Sequence, residues 1–172
     1  PPYSFWNAEQ VREAEGALDS PPAQDAPLGL YLHIPFCRKR CRFCYFKVYT
    51  DKKSDEINSY IDSVIEEIAL LAAKPAVQGR KPKFVYFGGG TPSYVSTKQL
   101  RHLTDSIREI LPWTEAEEFA FECEPGTITR HKLEVLKDIG VTRLSLGVEN
   151  FDQEILEVNG RAHGAPEIAR AY

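Results

Sequence analysis

Cys37, Cys41 and Cys44 stand at a spacing of four and then three, with Arg38, Lys39, Arg40 and Arg42 interleaved. Thiolate is the ligating form of cysteine, and neighbouring cations favour it, so the segment reads as a metal-binding loop whose Lys and Arg lower the thiol pKa values. Iron–sulfur clusters usually take four cysteines, and three leave one iron open to a small molecule. Two alternatives stay open on the residues alone. Four cysteines allow three disulfide pairings, although nothing else points to an oxidising compartment. A structural zinc site needs a fourth ligand and would recruit His33 or Cys123. Cys123 alternates onto the face of Phe119 and Phe121 and reads as a plain buried thiol.

Other chemically unusual residues fall at regular intervals. Gly88-Gly89-Gly90-Thr91-Pro92 offers bare backbone N–H and C=O groups to a ligand. It is no phosphate loop, since Gly-Lys-Ser/Thr is missing, and it lacks the dinucleotide spacing. Glu122 and Glu124 share one face of a strand by alternation. Tyr31 and His33 precede the cysteines, and Glu149 follows a further strand.

The elements that must position these residues alternate between strand and helix. Strands are predicted at 29–34, 83–87, 118–123 and 141–147. The strongest helix covers 54–74, with Ile57, Tyr60, Ile61, Val64, Ile68 and Leu71 at helical spacing, Ser54 as its cap and Pro75 at its end. A capping box at Ser96-Thr97-Lys98-Gln99 opens a second helix running to Leu111. Thr129 caps a third, closed by Gly140. A fourth begins at 152–158, and 165–172 reads as a helix under way. The stretch 1–28, rich in Pro, Ala, Asp, Ser and Gln, is a loosely ordered leader with a short helix around 9–17. Alternation of this kind means parallel strands joined by crossovers, in either a barrel or an open doubly wound sheet. In both, ligands bind at the carboxyl ends of the strands, where each of the unusual residues falls.

Composition sets the outer bounds. Of 172 residues, 42% are hydrophobic and 27% charged, which excludes disorder for the bulk of the chain. A net charge of −4 argues against general nucleic-acid binding. The longest apolar run, 68–73, is far short of the roughly 20 residues of a membrane helix. No signal-peptide pattern is present. The expectation is a cytoplasmic chain.

At these residues the sequence resembles the radical S-adenosylmethionine superfamily, whose C-x3-C-x2-C signature, with an aromatic before the last cysteine, is matched by Cys37, Cys41, Phe43 and Cys44. More narrowly it is similar to the oxygen-independent coproporphyrinogen III oxidase and heme chaperone family. That likeness rests on Tyr31-Leu-His-Ile-Pro-Phe-Cys37, Phe87-Gly-Gly-Gly-Thr-Pro92, Phe121-Glu-Cys-Glu-Pro125 and Arg143-Leu-Ser-Leu-Gly-Val-Glu149. The resemblance implies that Cys37, Cys41 and Cys44 hold three irons of a [4Fe–4S] cluster. The amino and carboxylate groups of S-adenosylmethionine would chelate the fourth. Gly88, Gly89, Gly90 and Thr91 would contact its methionine part, Glu122 would hydrogen-bond it, and Phe43 would pack by its adenine. Tyr31 and His33 match positions near the cluster. Glu149 stands where relatives often have Gln, and Arg161 aligns with a cofactor-contacting arginine. The implied chemistry is reductive cleavage of the cofactor to methionine and a 5′-deoxyadenosyl radical, which abstracts hydrogen from an organic substrate. An electron donor of ferredoxin or flavodoxin type is then implied.

The substrate is open to three readings: a porphyrinogen or related tetrapyrrole, another compound that receives a methyl or methylene group, or heme carried rather than transformed. The oxidase carries a further cysteine two residues after the third; here Phe46 stands there, preceded by Tyr45. The expected fold is α/β, the N-terminal part (about four βα units) of a partial TIM-like radical SAM barrel with parallel strands. Residues 29–172 would form its core, truncated at the C-terminal end, because a closed barrel takes about 250 residues.

Overall fold

A computed structural model describes residues 7–22 and 26–172. The rest of the 1–28 leader, at 1–6 and 23–25, lies outside the described residues. Within it, α1 (Ala8–Gly16) forms where the short helix was predicted and runs into a 3-10 turn at Ala17–Asp19. Leu18 O accepts from the Ala76 N–H at 3.1 Å, and Asp19 pairs with Lys74 at 2.8 Å, so this stretch rests against the end of the next helix.

Four parallel strands make one sheet in the order β1 (Leu28–Ile34), β2 (Pro82–Gly89), β3 (Glu118–Cys123), β4 (Arg143–Leu146). Between them run α2 (Ser54–Ala72), α3 (Thr97–Ile110) and α4 (Arg130–Asp138), and after β4 come α5 (Gln153–Val158) and α6 (Ala165–Ala171). Strand order that follows chain order is the barrel arrangement; a doubly wound sheet would reverse direction at a switch point. The alternation of strand residues separates two faces. One carries Leu30, Leu32, Ile34, Val85, Phe87, Phe119 and Phe121, all buried against Ile57 and Ile61 of α2, Leu100, Leu103 and Ile107 of α3, and Val135 and Leu136 of α4. Phe87 lies 5.1 Å from Phe119 and 5.3 Å from Phe121, ring to ring. Each such side chain stabilises the fold by about 1.5–3 kcal/mol through burial, which is why these rows set the strand register. The other face is open and bears small, polar or aromatic residues. Tyr31, Tyr86, Ala120 and Arg143 stand in one register row, and Glu122 pairs with Ser145 further along.

Several helix termini form as the sequence dictates. Ser96 accepts from the Gln99 N–H while Gln99 Oε1 accepts from the Ser96 N–H, a reciprocal capping box. Thr129 caps α4 and Asp152 caps α5, each accepting a backbone N–H at 3.1 Å. Gly140, at φ +79°, closes α4. Ser54 does not cap α2 as predicted: Lys53 occupies that position, its N–H bonded to Glu56, and the Ser54 hydroxyl is turned towards Gln99. β4 is shorter than the predicted 141–147. The Val141 N–H donates to Leu136 O, finishing α4, so the strand cannot start until after Thr142.

Candidate functional site

Pro35 stops β1, and the chain then makes a closed excursion before α2. Phe36 and Tyr49 form an isolated bridge, with the Cys37 N–H on Tyr49 O at 3.0 Å and the Tyr49 N–H on Pro35 O at 2.8 Å. All three loop cysteines, and Cys123, are free thiols, so the disulfide alternative is not realised. Inside the loop the Cys44 N–H donates to Cys41 O and Arg40 donates to Cys44 O. The Arg42 N–H donates to Asn159 O at 2.9 Å, fastening the loop to the end of α5.

The glycine segment meets this loop from β2. A Cβ on Gly90 would lie 2.9 Å from Cys37 Sγ and 3.0 Å from the Ile34 and Phe36 carbonyls, so only glycine lets the thiol sit against the strand end. Gly89 has φ +111°, and a Cβ there would lie 2.6 Å from the His33 ring. Thr91 Oγ1 donates to Cys37 Sγ at 3.4 Å. Burial pushes the Cys37 thiol up, with the nearby Cys44 and Cys41 adding to it, while Thr91 and Arg161 oppose. The expectation that the loop's own Lys and Arg lower the thiols fails at Cys37. Arg38, Lys39 and Arg40 stand exposed, and the cation that acts on this sulfur comes from residue 161.

From β3, Glu122 receives the Tyr86 hydroxyl at 2.6 Å on one oxygen and the Gly89 N–H at 3.2 Å on the other. That hydrogen bond is the main cause pushing the Tyr86 phenol up to about 12. Tyr31 stacks on Tyr86 at 5.9 Å and its hydroxyl meets His33 Nδ1 at 3.0 Å. Partial burial raises the Tyr31 phenol, and the Glu122 charge adds to the shift. Beyond β4 the chain bends through Glu149 at φ +64°, a left-handed conformation that costs a non-glycine residue energy and recurs at functional sites. Arg161 donates to Cys41 Sγ at 3.1 Å and to Gly147 O at 2.7 Å, and its guanidinium lies 6.0 Å from the Phe43 ring centre. Its Nε is buried without a partner among the described residues.

These groups surround a cavity of about 400 Å³, in the range of small-molecule sites. Of the residues singled out in the sequence, Cys37, Cys41, Phe43, Cys44, Gly89, Gly90, Thr91, Glu122, Glu124, Glu149 and Arg161 line it, as do Arg38, Lys39, Arg40 and Phe46 of the cysteine loop. Tyr31, His33 and Gly88 do not: they stand beside it on the open sheet face, where a Cβ on Gly88 would press on Tyr86. Cys123 touches the cavity, but burial pushes its thiol up to about 12, which suits an inert sulfur. Sequence reasoning missed Tyr86, whose partner Glu122 lies 36 residues on, and His163, bonded to Glu124 across 39 residues. No local pattern marks either pairing.

The donor set fits an iron–sulfur cluster with an open iron. Three soft thiols share one cavity, bare glycine backbone faces them, and a buried Arg161 N–H with no partner among the described residues lies at the same wall. Among the described residues no three His, Cys, Asp or Glu side chains converge on one point, as a mononuclear zinc site demands. A cluster spreads its thiolates over several irons and does not demand it.

Residues 31–172 match the family model of the radical SAM superfamily. The chain is 36% identical over 143 residues to a heme chaperone, HemW, of Bacillus subtilis, covering 83% of this chain and 37% of that protein. It is 30% identical over 146 residues to an oxygen-independent coproporphyrinogen III oxidase of Paracoccus denitrificans, covering 85% of this chain and 32% of the relative. Among solved structures, coproporphyrinogen III oxidase (HemN) of Escherichia coli, described as a radical SAM enzyme, superposes with a TM-score of 0.76 at 29% identity. That match covers 96% of this chain and 37% of the other. The chain thus spans less than two-fifths of the length of these relatives.

Proposed function

Because the chain belongs to the radical SAM superfamily, we propose that its cavity binds a [4Fe–4S] cluster and S-adenosylmethionine and serves a radical reaction on a tetrapyrrole-like substrate. The observation that carries this is the meeting of three thiols, a glycine strip and the Glu122, Glu149 and Arg161 side chains, from separate strand ends, around one cavity of about 400 Å³. Cys37, Cys41 and Cys44 would ligate three irons. Gly89, Gly90 and Thr91 would receive the methionine part of the cofactor through backbone groups. Glu122, positioned by Tyr86, would accept hydrogen bonds from the N–H of its amino group. When bound, the reduced cluster supplies the electron that cleaves the cofactor's sulfonium and so opens the way to hydrogen abstraction from carbon. Arg161 would donate to the Cys41 sulfur, and hydrogen bonds to ligand sulfurs are one of the levers on cluster potential. Phe43, half-exposed at the mouth, would cover the adenine and keep water out.

Heme carriage is the second reading. It is favoured by Phe46, which stands where the oxidase would have a further cysteine and stacks at 4.5 Å on Tyr45, a residue that departs from the chaperone pattern. No described helix is long and apolar enough to cross a membrane, and the electron donor would be a ferredoxin- or flavodoxin-type protein.

Anaerobic reconstitution with iron and sulfide tests the proposal. The expected result is about four irons per chain and, with dithionite, release of 5′-deoxyadenosine and methionine from S-adenosylmethionine. Cys41→Ala should lose both. Iron uptake without cofactor cleavage, together with tight hemin binding, would move the assignment to heme carriage. Turnover of a porphyrinogen belongs to a chain of the relatives' full length.

A further inference from the structure

Arg38 and Glu124 of the cavity lining belong to a polar network that has no part in holding the proposed cofactors. The His163 side chain is fully buried, at 0% exposure, between α5 and α6. Its Nδ1 is 2.8 Å from Glu124 Oε1 and its Nε2 is 3.2 Å from Val148 O, so both ring nitrogens face acceptors. Glu124 Oε1 also takes the Gly126 N–H at 3.1 Å, which fixes the carboxylate's rotamer. Its Oε2 is buried with no hydrogen-bond donor among the described residues. Arg38, the residue after the first loop cysteine, brings its Nη1 to 3.6 Å from that oxygen and to 3.6 Å from Glu167 Oε1 on α6. The guanidinium lies directly over Gly126, where a Cβ would be 1.8 Å from Nη1.

An ion pair between two mobile surface chains contributes little. Here one partner is buried and already held by an imidazole and a backbone N–H, so little freedom remains to be lost on pairing. We propose that Arg38, Glu124 and His163 form a latch that holds the cysteine loop down on the ends of β3 and α6, with His163 as a positioning residue acting through Glu124. The network joins four segments distant in sequence: the loop, the end of β3, the bend after β4, and α6. Its task is to preset the spacing of the thiols before metal arrives. The latch rests on the reading of Cys37, Cys41 and Cys44 as cluster ligands only for that task; the contact itself does not depend on it.

The test compares iodoacetamide alkylation of each cysteine in the metal-free chain, mapped by mass spectrometry. Gly126→Ala is the sharpest variant, since its Cβ displaces the tip of Arg38 and presses on Glu167 Oε1 at 3.0 Å, while no atom of Glu124 or His163 is among its nearest contacts. Arg38→Ala and His163→Ala remove the two ends, and Arg38→Lys restores the charge. Cys123 lines the same cavity, so global unfolding is followed separately by the urea midpoint of each variant. Opening of the loop alone should raise the rates at Cys41 and Cys44 by about fivefold to tenfold in the first three variants, with Arg38→Lys close to the unaltered chain. No rise, or a rise no larger than the drop in global stability accounts for, overturns the latch. Iron uptake by the unaltered chain is measured in parallel; its failure would overturn the cluster assignment and leave the alkylation comparison to judge the latch.

Discussion

At the scale of single residues, the pairing of Tyr86 with Glu122 has a measurable signature. The hydrogen bond stabilises the neutral phenol, so the folded-state pKa moves from 10.0 to about 12. The contribution to stability is therefore complete below the unfolded value and is lost as pH climbs from 10.0 to about 12. Tyr86→Phe should lower stability by about 1 kcal/mol at neutral pH, and the deficit should vanish in strongly alkaline buffer. It should also delete the highest-pH component of the phenolate absorbance titration; an unchanged titration curve would sink the assignment. Glu122 could be read from the sequence because β alternation and a following Pro place it at a strand end. Tyr86 could not, since on its own it is one more aromatic in an aromatic strand. Only the register that sets Tyr86 beside Ala120 brings its hydroxyl within reach of the next row. The surroundings of Arg38 could not be read for the same reason. It is one of four cations in a short loop, and the carboxylates beside it come from residues 124 and 167.

Among the elements, α4 has a role that its length does not suggest. Lys132, in its first turn, is buried and sends its ammonium to the carbonyls of Ser93 and Val95, in and just after the 3-10 turn at Pro92–Tyr94 that follows the glycines. The helix therefore braces the far end of the proposed cofactor strip. Burial lowers the Lys132 pKa, a sign that the ammonium pays for its position. Replacing it with an apolar side chain relieves that desolvation while losing two hydrogen bonds, and the two effects are of similar size. Lys132→Met should thus change global stability by less than about 1 kcal/mol in urea unfolding, yet speed hydrogen exchange at the Tyr94 amide, which bonds to Thr91 O. A large global loss with unaltered local exchange would refute the brace. The helix itself was legible down to its ends, since Thr129 and Gly140 are short-range signals. Its burial of a lysine was not, because nothing near Lys132 in sequence announces the two carbonyls. The start of β4 failed for a related reason: Val141 and Thr142 have strand-like side chains, but the N–H of one closes a helix and the hydroxyl of the other takes the Phe119 N–H.

For the molecule as a whole, alternation of strand and helix left barrel and doubly wound sheet equally possible. Each βα unit obeys the same local rules in either, and the decision lies in which strands pair. Sequential pairing puts four strand ends side by side, and that order gives the cavity its walls: the cysteine loop after β1, the glycines at β2, the carboxylates at β3 and the Glu149–Arg161 stretch after β4. A ligand touching all four walls binds the folded chain and not the unfolded one, so it must stabilise the whole sheet. At a free concentration about 100 times its dissociation constant, S-adenosylmethionine would add about 2.7 kcal/mol. For a domain of this size each kcal/mol moves the midpoint by about 2–4 °C, which makes the expected rise about 5–10 °C. The measurement is a thermal melt of the reconstituted chain under nitrogen, with and without the cofactor. Cys41→Ala should abolish most of the shift by removing the ligand that Arg161 supports. Gly90→Ala should do the same by a different route, since its Cβ would press on Cys37 Sγ and the Ile34 and Phe36 carbonyls, leaving no strip for the methionine part to lie on. A shift that survived both substitutions would place the cofactor elsewhere and remove the main support for a shared site at the four strand ends.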